Sequence, residues 1–70
     1  MSTAITVTVN GELRELGGNS SLLDLLAALE LDPRSVVVEL NREIVRRPVL
    51  GDTTLNDGDQ VELVHFVGGG

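Results

Sequence analysis

The sequence closes on Val67-Gly68-Gly69-Gly70, a run that ends in a glycine carboxylate. Three consecutive glycines serve no folding purpose, because glycine loses more backbone entropy on ordering than any other residue. Residues 67–70 therefore read as a flexible tail outside a domain of residues 1–66. The same lack of Cβ atoms suits chemistry at the terminal carbonyl. Such a segment threads a narrow channel, and nothing shields the Gly70 carbonyl carbon from attack. Fully extended, Val67 to Gly70 reaches on the order of 13 Å from the body. A frayed end or a linker is the plain alternative, although such linkers usually carry serine and lead into another module. A carboxylate becomes an electrophile only when its oxygen is turned into a leaving group, which calls for ATP and a separate activating enzyme. This chain has no phosphate loop of its own. Gly17-Gly18 lies between a strand and a helix, but no Gly-x-x-x-x-Gly-Lys follows and the chain has no lysine.

Other reactive groups are few. There is no cysteine, hence no disulfide, thiol nucleophile or thiolate ligand. All five basic side chains are arginines (Arg14, Arg34, Arg42, Arg46, Arg47), so no side-chain amine competes for an activated acyl group. An arginine-rich coding bias explains that equally well. His65 is the only histidine, and carboxylates alone as co-ligands make a poor zinc site. Packing or a hydrogen bond near the end of the last strand is its expected role. Asp57 and Asp59 lack the distal glutamate of a calcium loop and read as a turn. Glu39 and Glu43 read as a solvated strand edge. No metal and no bound cofactor is expected.

Seventy residues make one small domain, which buries only about 60% of its unfolded surface. At 41% hydrophobic the chain can form a core, but not a core plus an enclosed active site. No run of eighteen apolar residues and no basic leader is present, so neither a membrane partner nor secretion is expected, and a cytoplasmic location is. Eleven acidic against five basic residues give a net charge of −6. That charge disfavours nucleic acid and suits a partner with a basic docking face.

The elements that must carry the tail are legible. Ile5, Val7 and Val9 alternate with threonines as a half-buried strand. Asn10-Gly11 predicts a tight hairpin into a strand from Glu12 to Leu16. Ser21 and Asp24 predict a capping box, and Leu22, Leu25, Leu26 and Leu29 form one helical stripe, widened by Leu23, Ala27 and Ala28. Asp32-Pro33 is expected to end the helix. Val36 to Leu40, a turn at Asn41-Arg42-Glu43, and Ile44-Val45 follow as strands. Pro48 to Leu55 reads as an irregular connection, Asn56 to Asp59 as a turn, and Gln60 to Val67 as the last strand. The order β-β-α-β-β-β predicts an α+β fold of the β-grasp (ubiquitin-like) type, a mixed sheet of about five strands with one main helix on one face. If Val61 and Leu63 face the core, period-2 alternation sends Val64 and Phe66 to the opposite face, where Val37 can join them between Glu39 and Glu62. An exposed apolar patch of this kind marks a partner-docking surface. A β-bulge that buries Phe66 is the competing arrangement.

The chain resembles the ubiquitin-like sulfur carriers of bacteria, most closely those of thiamin biosynthesis. The likeness rests on the first strand with Asn10-Gly11, the stretch Val38 to Val45, the Asp57-Gly58-Asp59 turn, and the ending His65-Phe66-Val67-Gly68-Gly69-Gly70. The ending is the specific part, since many functions share the fold. The resemblance implies a carrier and not an enzyme. Gly70 would be adenylated by an ATP-dependent, E1-like enzyme (ThiF type) and converted to a thiocarboxylate. A thiazole synthase (ThiG type) would take its sulfur. Gly68 and Gly69 would complete the tail motif. Two other readings stay open: a carrier of the type found in the small subunit of molybdopterin synthase, and a non-catalytic ubiquitin-like module or modifier.

Overall fold

Branched residues at alternating positions set the first strand. The computed structural model describes residues 3–66. Strand β1 (Ile5–Val9) buries Val7 and Val9 on one side and turns Thr6 and Thr8 to the other. Asn10 and Gly11 have φ of +49° and +85°, the left-handed pair that a two-residue hairpin of this twist requires. The chain returns as β2 (Glu12–Leu16), with Val9 opposite Glu12 and Ile5 opposite Leu16. A second two-residue turn, Asn41-Arg42 with φ of +50° and +73°, joins β3 (Val36–Leu40) to β4 (Glu43–Val45). Strand β5 (Gln60–His65) enters the middle of the sheet, parallel to β1 and antiparallel to β3. The order is β2-β1-β5-β3-β4, the five-stranded mixed sheet of a β-grasp fold.

One helix, α1 (Leu22–Ala28), covers one face of this sheet. The Ser21 hydroxyl accepts from the Asp24 N–H at 3.0 Å, and the Asp24 carboxylate accepts from the Ser21 N–H at 2.9 Å. This is the reciprocal capping box expected from the sequence. Leu22, Leu25 and Leu26 are fully buried against Val7, Val38, Val61 and Leu63, and Leu29 packs at the margin. The expected widening of the stripe does not occur: Leu23 is 41% exposed, and Ala27 and Ala28 face solvent. A helix lying on a sheet buries one seam, and these three residues sit on its flanks.

The helix also stops earlier than Asp32-Pro33. Glu30 takes φ +59°, its N–H donates to the Ala27 carbonyl, and the Leu31 N–H donates to the Leu26 carbonyl at 2.9 Å. That paired bonding is a Schellman end, here with glutamate in the place that glycine usually fills. Leu31 then packs on the core margin. Asp32 instead caps a 3₁₀ turn, Pro33–Ser35. Its carboxylate accepts from the Arg34 backbone N–H and guanidinium, which lowers the Asp32 pKa and raises that of Arg34.

The connection after β4 is more ordered than expected. Arg47–Asp52 forms a 3₁₀ helix that buries Leu50. The following segment is strapped to the start of α1, with the Leu22 N–H on the Thr53 carbonyl and the Leu55 N–H on the Ser20 carbonyl. The Asn56 to Asp59 turn uses its own acids. The Asp57 carboxylate accepts from the Thr6 N–H at 2.7 Å, and that of Asp59 from the Asn56 N–H at 2.7 Å. Strand β5 ends at His65, with Phe66 beyond it; Val67 lies outside the described residues.

Candidate functional site

The strand that leads to the tail is the best-braced one in the sheet. Beyond its two ladders, β5 is held by side chains from both hairpin turns. The Asn10 amide donates to the Leu63 carbonyl at 3.2 Å, while its Oδ1 accepts from the Leu63 N–H at 2.8 Å. Asn41 Oδ1 accepts from the Gln60 N–H at 2.9 Å, and its amide donates to Asp59 Oδ1 at 3.1 Å. Sequence reading assigned both asparagines to turns alone, since nothing local reveals a bond fifty-three positions away. The Phe66 N–H then donates to the Ser35 carbonyl at 2.9 Å, which fixes where the backbone leaves the sheet. Gly68, Gly69 and Gly70 lie outside the described residues.

Beside this exit is the face of the sheet opposite α1. Val61 and Leu63 are buried on the helix side, so Glu62 and Val64 point away from it. The β3–β5 register runs from Leu40 opposite Val61 to Val36 opposite His65 with no bulge. Val64, 55% exposed, lies directly across from half-buried Val37, and Phe66 is 58% exposed beyond them. The three residues expected to share a face are brought together. Glu62 lies directly opposite Glu39 on the same face.

Ile44 was missed. It is 68% exposed and pairs with Glu39 from the outer strand, which extends the apolar surface to β4. The two-residue turn at Asn41-Arg42 carries the signal, because it sets Ile44 across from Glu39 once β3 is placed. Two further expectations need correction. His65 is exposed rather than packed. Glu39 is half-buried on an inner strand, while Glu43 alone lies at the edge. A groove of about 590 Å³ adjoins the face, floored by Val36, Val45 and Leu50 and lipped by Arg34, Arg46 and Arg47. No helix among the described residues is long and apolar enough to cross a membrane.

The arrangement offers a surface and a fixed exit for a glycine tail. Comparison with known proteins says whose arrangement it is. The family model for the ThiS family matches residues 7–70. The chain belongs to the ThiS family. A sulfur carrier protein of this family from Bacillus subtilis is 44% identical over 50 residues, covering 71% of this chain and 76% of that one. The crystal structure of a ThiS thiamine biosynthesis protein from Geobacter metallireducens superposes with TM-score 0.81. It is 38% identical and covers 94% of this chain and all of its own. A thiazole synthase from Paramagnetospirillum magneticum is 41% identical over 64 residues, 91% of this chain but 20% of that protein. The chain thus spans about a fifth of the length of the first curated relatives it matches. The chain is thus a ThiS-family member with a ubiquitin-like β-grasp fold.

Proposed function

We propose that this protein carries sulfur as a thiocarboxylate on Gly70 and delivers it for thiazole formation in thiamin biosynthesis. The observation that carries the reading is the family match itself, which runs through the glycine tail to residue 70. The Gly70 carboxylate oxygen attacks the α-phosphorus of ATP on an E1-like enzyme of the ThiF type, releasing pyrophosphate. Sulfide-level sulfur (HS⁻) then attacks the carbonyl carbon, expels AMP and, on losing its proton, leaves the thiocarboxylate. The carrier needs no catalytic side chain and no bound cofactor of its own, since ATP belongs to the activating enzyme. Gly68 and Gly69 supply a tail slim enough to enter each partner's channel. The use of ATP and of two partner enzymes makes the cytoplasm its site of action.

In this reading the open sheet face, with Phe66, Val64 and Val37, is the partner-docking surface. A thiazole synthase (ThiG type) is the acceptor, which is supported by the synthases whose own sequence includes a stretch like this chain. Deleting Gly70 tests the chemistry. Folding is expected to survive, because the described core ends upstream at Leu63. ATP–pyrophosphate exchange with the activating enzyme is expected to vanish, since the reacting carbonyl moves by one residue. Exchange that persists in the truncated protein contradicts the proposal.

A further inference from the structure

The open face holds an arrangement that the fold alone does not favour. Glu39 on β3 and Glu62 on β5 are directly opposed in an antiparallel register, and both side chains leave the sheet on the same side. Directly opposed residues hold their Cβ atoms roughly 4.5–5.5 Å apart, and like charges there are destabilising. No direct partner offsets the pair. Neither carboxylate makes an ion pair or a hydrogen bond among the described residues, and the one salt bridge there joins Arg34 to Asp32. The strands place three charged side chains on this face, Glu15, Glu39 and Glu62, and all are acidic. Arg46, just beyond β4, lines the adjoining groove and stays more than 4 Å from either carboxylate.

One side of the pair is apolar. The next opposed pair along the same two strands is Val37 with Val64, and Ile44 sits across from Glu39 on the other side. Glu39 is consequently half-buried between hydrophobic side chains. The apolar face is the docking surface, and the opposed carboxylates decide what it accepts. Two anions beside an apolar strip match a cation that brings its own apolar flank, which describes an arginine set in a hydrophobic patch.

Resting on the docking reading above, we infer that the thiazole synthase presents an arginine or lysine side chain between Glu39 and Glu62 when it docks on Val37, Ile44 and Val64. The pair is then a recognition element kept at the expense of stability. A second copy of this chain is the weaker candidate, because each copy carries a net charge of −6. The synthase is preferred over the activating enzyme because relatives join a stretch like this chain to a thiazole synthase in one polypeptide.

The inference has a signature of opposite signs. Glu39→Gln, Glu62→Gln and the double variant keep the shape of each side chain and remove the charge. In the full-length protein, the double variant is expected to raise the urea midpoint. It should weaken binding to the purified cognate synthase about tenfold by calorimetry. The affinity of the wild type should fall with added salt, and the variant should lose most of that dependence. Val64→Ala provides the separate arm, since it tests the face without touching charge. If Val64→Ala weakens binding while the double variant binds as the wild type does, the acidic pair is not a recognition element, though the docking face stands. If neither binds more weakly, the docking reading and this inference fall together. A double variant that loses stability and affinity in parallel assigns the pair a structural role and overturns the inference. So does a loss of affinity seen only with the activating enzyme.

Discussion

A single side chain can replace a missing rung of a sheet, and Asn10 does so here. Its amide bonds both the N–H and the carbonyl of Leu63, two groups on the strand that leads to the tail. Asn10 also tolerates the left-handed φ that the hairpin requires. Asn10→Ala removes both bonds and leaves part-buried backbone groups unmet, so a loss of about 2 kcal/mol is expected in urea melts. Asn10→Asp, which keeps the acceptor but not the donor, should fall between the two. Phe66 is the contrasting case. At 58% exposed it contributes little to the core, so Phe66→Ala should change stability by less than about 0.5 kcal/mol. Its affinity for the activating enzyme or the thiazole synthase should fall by about 1–3 kcal/mol if the ring is an interface anchor. Calorimetric titration beside the urea melt separates a surface role from a packing one.

Among the elements, the hairpins and the capping box were legible because their causes lie within a few residues. Asn10-Gly11 and the Ser21/Asp24 pair specify their own backbone geometry. The end of α1 was not legible, because its cause is tertiary. Glu30 accepts left-handed strain so that Leu31 can reach the margin of the core. The 3₁₀ helix at Arg47–Asp52 was missed for the same reason, since the burial of Leu50 holds it and no local repeat announces it. Glu30 also sets a negative charge at the negative end of the helix dipole. Glu30→Gly removes both the strain and the charge, and glycine's added chain entropy offsets only part of the gain. A net stabilisation of about 1 kcal/mol is expected, read as a higher urea midpoint with unchanged slope.

For the whole molecule, alternation along β5 was enough to place Val64 and Phe66 on the open face and Val61 and Leu63 in the core. The family was legible from the glycine ending joined to the β-grasp pattern. Pathway identity belongs to surface complementarity, because any partner that reads only Gly70 would read every glycine tail alike. The test is therefore genetic. Expression in a bacterium lacking its own thiazole sulfur carrier should restore growth without thiamin when the cognate activating enzyme and synthase are supplied. Growth of a strain lacking the small subunit of molybdopterin synthase should not return. The reverse pattern assigns the carrier to the other pathway.

Strand β5 lies between β1, which runs parallel to it, and β3, which runs antiparallel. Any enzyme that draws the tail into a channel while gripping the sheet exerts traction along this strand. Hydrogen bonds to β3 lie across the direction of pull and those to β1 slant to it, so they are loaded together in shear instead of opening one after another. A pull on Phe66 along β5 therefore meets both neighbouring strands at once, and its load is spread across the middle of the sheet.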